Sequence, residues 1–388
     1  MQELLINSTV QHTLLLFVPL IFAYILKQTK IRGWAMFGGV IGGVLLGPAI
    51  FGSVAPEYWE GIFQGGTLEH EKYVRLERQQ QTDILAATTL GVDDTSILQM
   101  RADYHYDLSL LQEEWNVAKW KEQRTIRDYS MVLIVLILLS GSMRCRARGT
   151  APPAMSLSVG VWAAIVPSGL TALMIFWITD LGLTPALALG ACLGAGPWTL
   201  ATWEQKAADN SEQNGSLLML RCGRIAWVVA GAIAIYAAWQ VQGAMSLVWM
   251  IPILLLPLLW IVPIKQWRWL HIFVDYAAIP SVMTTSLVLI HPLVNLEFWP
   301  ILIVILFCAD ARWLGGMIGL GLLGGRKSGN AMRLAIPLVD SGVSQLCMAA
   351  LLIGAGALPA PLAIAALIGA IFLEYTAPIR LKMSTYDS

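Results

Sequence analysis

Apolar stretches of about twenty residues recur along nearly the whole chain, and they restrict the possible folds more than any other feature. A helix of about 20 apolar residues is long enough to cross the hydrocarbon core of a bilayer. Only 13% of the 388 residues are charged, against about a quarter in soluble domains. We therefore predict an all-α polytopic membrane protein with about eleven spans, and a soluble enzyme is excluded. The predicted spans are 11–27, 34–55, 129–143, 156–178, 183–202, 216–239, 245–263, 271–291, 298–322, 332–357 and 360–379.

The positions of lysine and arginine predict how the chain is oriented. Short loops rich in these residues stay in the cytoplasm. Here every second loop is basic, whereas the short loops 179–182 and 240–244 hold no lysine or arginine. This alternation predicts a plasma-membrane protein with its N-terminus outside and its C-terminus in the cytoplasm. The basic residues are Lys27, Lys30, Arg32, Arg144, Arg146, Arg148, Lys206, Lys265, Arg268, Arg326, Lys327, Arg380 and Lys382.

Net charge and cysteine content exclude further classes of function. The formal net charge is zero, so no strong attraction to nucleic acid is expected. The five cysteines lie in or beside apolar stretches and form no CxxC pair, which indicates small apolar residues rather than disulfides or metal ligands. We expect no cofactor, no bound metal and no enzymatic activity. The cysteines are Cys145, Cys192, Cys222, Cys308 and Cys347.

A polar insertion at 56–128 interrupts the series of spans. It holds 14 of the 25 acids and 8 of the 25 bases of the chain. Two helical stretches are predicted, roughly 67–90 and 96–127, with Asp94 or Ser96 as the N-cap of the second. Apolar residues spaced three or four apart give this second helix one apolar face. We expect a helical hairpin outside the membrane. Its apolar faces either pack on each other or form a dimer contact or a docking site for a partner protein.

Ionisable residues inside the predicted spans are candidates for function, because charges at membrane depth are costly. Two interpretations are open. The charges form structural ion pairs between helices, or they build a site near the midplane that binds an ion and changes protonation. Burial and a nearby arginine act in opposite directions on the proton affinity of a carboxylate, so such a group can exchange a proton for a cation. The acids are Asp275, Asp310 and Asp340, and the bases are Arg221, Arg224 and Arg312.

Two spans contain residues that break helices. Glycine and proline disfavour a helix interior, and discontinuous helices are typical of transporters built from inverted repeats. Ordinary packing of membrane helices through small residues is the alternative. The residues in the fifth span are Gly194, Gly196 and Pro197, and those in the tenth are Ser341 and Gly342, which follow Asp340.

Four segments resemble the monovalent cation:proton antiporter superfamily, specifically its bacterial second family. The glycine-rich run Phe37–Gly52, which contains Leu45-Leu46-Gly47-Pro48, is similar to the second helix of that family. Leu189–Pro197 resembles its first broken helix, Ala331–Ala357 its second, and Phe372–Arg380 its last helix. The resemblance implies inverted repeats with a core domain and a dimer domain, a homodimer, and exchange of Na⁺ or K⁺ for protons by an elevator-like motion.

The chain departs from the family at the expected ion site. The family places its ion-binding carboxylates in the sixth span, where this chain has Arg221 and Arg224 and no acid. Three alternatives follow. A displaced site uses Asp275, Asp310 and Asp340 together with these arginines; the arginines attract an anionic substrate; or the protein keeps the fold without transporting and acts in assembly or signalling through its hairpin.

Overall fold

Helices make up every regular element in the part of the chain that the structure describes. The computed structural model describes residues 2–65, 67–144, 153–196, 213–256, 268–290, 295–324, 335–339 and 342–385. The predicted all-α class is confirmed. Pro197, Asp340 and Ser341 lie outside the described residues.

The helices are numbered here in chain order. The first seven are α1 (Gln2–Gln28), α2 (Trp34–Leu46), α3 (Phe51–Val54), α4 (Pro56–Trp59), α5 (Thr67–Thr89), α6 (Asp94–Glu122) and α7 (Arg124–Arg144), with a π-helical turn at Glu60–Gln64. The remainder are α8 (Pro153–Ile178), α9 (Leu183–Gly194), α10 (Gln213–Gln242), α11 (Met245–Leu255), α12 (Arg268–Phe273), α13 (Ile279–Ile290), α14 (Phe298–Gly324), α15 (Gly342–Gly354) and α16 (Ala360–Thr385). A π-helical turn (Val274–Ala278) joins α12 to α13, and a 3-10 turn (Ile336–Val339) precedes α15.

Seven helical segments among the described residues are long and apolar enough to cross a membrane. Three shorter apolar helices, α9, α11 and α15, lie within the predicted fifth, seventh and tenth spans. The chain is therefore a membrane protein, whereas the count of eleven spans and the inverted repeats stay predictions. The seven segments are Thr9–Gln28, Trp34–Val54, Met155–Ile178, Arg221–Gln242, Arg268–Ile290, Phe298–Gly321 and Ala360–Ala377.

The chain divides into two compact units, and the first consists of residues 1–14 and 50–129. Its helices α5 and α6 pack along each other as a hairpin. The Tyr104 hydroxyl donates a hydrogen bond to the Asp83 carboxylate across the pair. The His70 and Trp115 rings lie 4.5 Å apart between centroids near the other end. A hydrogen bond and a ring contact thus join the two helices of the hairpin at separate levels.

The turn of the hairpin differs from the predicted one at the cap. Helix α6 begins at Asp94, and the preceding Asp93 provides the capping carboxylate. Hydrogen bonds from Ser96 and Thr95 hold the pKa of Asp93 below its ordinary value. The expectation of a cap at Asp94 or Ser96 is therefore wrong, because a capping side chain must precede the first helical residue to reach the free backbone N–H groups.

The second unit consists of residues 15–49 and 130–388, and in it the glycine-rich helix α2 packs closely against α13. A Cβ atom added at Gly39 would lie 2.5 Å from the Pro280 carbonyl oxygen, and one at Gly43 would lie 2.6 Å from the Leu287 Cβ. The Thr284 hydroxyl donates a 2.8 Å hydrogen bond to the Gly39 carbonyl. The glycine run therefore serves close helix packing, as small residues commonly do in membranes.

Helix α8 contacts three helices of the second unit, namely α9, α10 and α14. Glycines permit close approach at each contact. A Cβ at Gly160 of α8 would lie 2.6 Å from the Ile225 Cβ of α10, and one at Gly315 of α14 would overlap the Trp162 carbonyl. Gly190 of α9 packs equally closely on Ser168. This packing holds α9 and α14 closely against α8.

Candidate functional site at the ends of helices α9 and α15

Helix α9 stops among buried residues of the second unit. Gly194 is its last residue, and Ala195 has an extended backbone with φ −64° and ψ 100°. Leu193 and Ala195 are fully buried. The last carbonyl groups of a helix have no N–H partner within the helix, so the end of α9 presents acceptors in an apolar surrounding. These acceptors need donors from other elements.

Arg312 of α14 supplies donors to the end of α9. Its Nε donates to the Leu193 carbonyl, and its Nη2 lies 3.3 Å from the Cys192 carbonyl oxygen. The same Nη2 lies 3.3 Å from Oε1 of Gln345 in α15. The side chain of Arg312 is only 1% exposed. Because the C-terminal end of a helix carries partial negative charge, the buried guanidinium stabilises the helix end electrostatically as well as by hydrogen bonds.

The start of α15 binds the same region. The Ser344 hydroxyl donates a 3.0 Å hydrogen bond to the Ala195 carbonyl. Nε2 of Gln345 donates a 2.8 Å bond to the Ala366 carbonyl of α16. Ser344 and Gln345 are both fully buried. Four helices thus meet in one polar cluster, which we call the polar crossing: Arg312, Ser344, Gln345 and the carbonyl groups of Cys192, Leu193, Ala195 and Ala366.

Helix α10 packs beside the chain that follows α9. A Cβ at Gly196 would lie 2.6 Å from the Gly223 carbonyl oxygen and 2.7 Å from the Ala226 Cβ. Arg224, between these two positions in sequence, is buried at 6% exposure. Arg221 is half-buried. Of the two predicted arginines of α10, Arg224 is therefore the one that lies in the buried interior.

The predicted acids have different surroundings. Asp275 is half-buried in the π-helical turn Val274–Ala278. Asp310 is exposed, although Arg312 lies only two residues further along α14. Positions two apart on a helix differ in direction by about 200°. The structure therefore does not bring Asp310 to the polar crossing, and Asp340 and Ser341 lie outside the described residues.

Sequence reasoning did not single out Ser344 and Gln345 as site residues. Their signal was present, because a hydroxyl and an amide in an apolar span need hydrogen-bond partners. The carbonyl groups of α9 that are bound here could not be identified from the sequence, since every residue carries a backbone carbonyl. Among the broken-helix positions, Gly194 is the last residue of α9 and Gly342 is the first of α15. These two glycines mark helix ends that meet at the crossing.

No protein-family model matches the chain, and no curated protein sequence matches it. The antiporter resemblance therefore stays a prediction that rests on the four sequence segments.

Proposed function

We propose that the chain is a secondary membrane transporter that exchanges a monovalent cation, Na⁺ or K⁺, for protons through a site rearranged around the polar crossing. The observation that carries the proposal is the buried end of helix α9, which Arg312 binds. Non-helical backbone at membrane depth is tolerated only where protein buries it or where it lines a cavity. Transporters use such interruptions to bind substrate and coupling ions.

Asp340 is the carboxylate that this proposal assigns to the exchanged ion. It precedes Gly342, the first residue of α15, by two positions in the sequence. A carboxylate that is either protonated or bound to a cation couples the two ions, because each occupant excludes the other. Positive charge on the buried arginines Arg312 and Arg224 would favour a deprotonated carboxylate placed beside them. Of these two, Arg224 lies in the sixth span, where the resembling family carries its acids.

Ion flux in proteoliposomes tests this proposal. The purified protein is reconstituted with an internal pH dye, and Na⁺, K⁺ or Li⁺ is added outside. We expect a cation-dependent rise in internal pH that is lost in Asp340→Asn and retained in Asp180→Asn, the same change at an exposed loop position. Folded wild-type protein that responds to no cation would show that the chain does not exchange cations for protons.

The hairpin supports a second candidate function, assembly of two copies without transport. An open groove of about 870 Å³ runs between α5 and α6. Arg101 lines it and no acidic residue does, although 56–128 carries 14 acids and 8 bases and hence a net charge of −6. Leu85, 68% exposed, also lines it. A basic apolar groove on an acidic hairpin is complementary to the acidic surface of a second copy.

Light scattering of the purified protein tests assembly through the hairpin. We expect a dimer for the wild type and a single chain for Leu85→Glu. The new carboxylate in the groove would repel the acidic surface of a second copy. Leu90→Glu is the matched control, since Leu90 is 81% exposed and lies outside the groove, and it should remain dimeric. A wild type with the mass of one chain, or a Leu85→Glu variant that stays dimeric, would contradict assembly through this groove.

A further inference from the structure

Asp310 is an exposed carboxylate at the middle of a membrane-spanning helix. It is the thirteenth residue of the 24-residue span Phe298–Gly321, so it lies about 18 Å from one end and about 16 Å from the other. The hydrocarbon core is about 30 Å thick. The carboxylate therefore lies deep in that core. Among the described residues, no hydrogen bond or ion pair satisfies it.

Asp310 belongs to an outward-facing strip of α14. Trp299 is 56% exposed and Leu306 is 52% exposed, and they precede Asp310 by eleven and four residues. Gly321, eleven residues further on, faces open space. These spacings keep all four positions on one side of the helix. The opposite side carries Gly315, packed on α8, and buried Arg312. The strip is thus a helix face with a central charge. The described part of the chain covers it at Ile303, which is 4% exposed, and leaves Leu306, Asp310 and Gly321 open.

Carboxylates in membrane spans almost always face a bundle interior or pair with another group. We propose that Asp310 is the contact point for a membrane helix of a second protein, one that carries lysine or arginine at mid-span. A cation at this depth pairs with the carboxylate and removes the cost of leaving it in lipid. The small Gly321 allows the backbone of the partner helix to approach closely on the same face. This inference does not depend on transport.

The charges of the chain itself argue against a second copy as the occupant. Arg312 and Arg224 are 1% and 6% exposed and are not available on the surface. Arg221 is half-buried and already takes part in an interaction within its own chain. None of these three arginines is therefore free on the surface of another copy to pair with Asp310, and a two-fold contact there would bring two carboxylates together. Lipid headgroups lie about 15 Å from the midplane, too far to pair with it.

Association with designed membrane helices tests the proposal. A synthetic helix of leucine and alanine with one central lysine is reconstituted with the full-length protein in phosphatidylcholine vesicles, and association is measured by energy transfer. A peptide with leucine at the centre is the comparison. We expect the lysine peptide to bind at least fivefold more tightly, with this preference lost in Asp310→Asn. In Asp310→Lys the preference should move to a peptide with a central aspartate.

Leu306→Asn is the matched control, because it places a polar group one turn away on the same face and keeps Asp310. It should retain the preference for lysine. Peptide binding is compared only among variants whose thermal stability equals that of the wild type. A folding defect is thereby distinguished from loss of the contact at Asp310. Equal binding of the lysine and leucine peptides to the wild type would overturn the proposal. Self-association of the wild type through this face, lost in Asp310→Asn, would overturn it in favour of a second copy.

Discussion

Replacing Arg312 with alanine is expected to lower the free energy of unfolding by about 3 kcal/mol and to abolish transport. The substitution removes the donors that bind the Leu193 and Cys192 carbonyl groups and Gln345. These acceptors are buried, and a buried acceptor that loses its partner retains the full cost of its desolvation. The end of α9 would also lose the positive charge that stabilises it. Apparent melting temperature in detergent and ion flux in proteoliposomes measure the two effects.

A second substitution at position 312 separates guanidinium geometry from charge, and Arg124→Ala serves as a surface control. Arg312→Lys keeps the charge, but an ammonium group cannot present the planar fork of donors, so an intermediate loss is expected. Arg124→Ala removes an arginine whose pair with Asp128 spans 3.6 Å between groups that are 71% and 58% exposed. Such surface pairs contribute little, and this control should melt like the wild type. An Arg312→Ala variant as stable as Arg124→Ala would show that the end of α9 does not depend on Arg312.

Arg312 and Asp310 illustrate what the sequence does not predict, namely which side of α14 faces the interior. Both were identified as mid-span charges, and helical geometry places them on different sides of α14. Which side faces inward could not be predicted, because the helix is apolar around its whole circumference and shows no polar face. The glycines that pack on α8, such as Gly315, mark the inner side only once the partner helix is known.

Local sequence predicts where α9 and α15 end or begin, but it does not predict which side chains bind these helix ends. Clustered glycines next to Pro197 predicted an interruption in the fifth span, and α9 ends at Gly194. The donors that bind this end come from positions 119 residues away at Arg312 and 149 residues away at Ser344. No local pattern reports contacts at such separations. Hydrophobic periodicity therefore predicts the helices, whereas the site depends on how distant helices pack.

Replacing Gly342 with alanine is expected to destabilise the protein by about 2 kcal/mol and to reduce transport. A Cβ at this position would overlap the carbonyl oxygen of Ala370 in α16 and would lie 3.1 Å from the Glu374 Cβ. Backbone atoms of a packed helix cannot yield as a flexible side chain does, so α15 must move away from α16. That movement would lengthen the hydrogen bonds of Ser344 and Gln345, which begin two residues later. The loss of stability is measured by thermal unfolding in detergent.

Gly354→Ala is the matched control at the other end of the same helix. Nothing lies within 4 Å of a Cβ added at Gly354, and alanine favours the helix over glycine by up to about 1 kcal/mol. The two substitutions are chemically identical, so opposite signs would isolate the contact with α16 from helix propensity. If Gly342→Ala loses stability but transports as the wild type does, the start of α15 is not part of the transport site. Transport lost in Gly342→Ala and kept in Gly354→Ala would tie the polar crossing to function through its geometry, since neither change alters a charge.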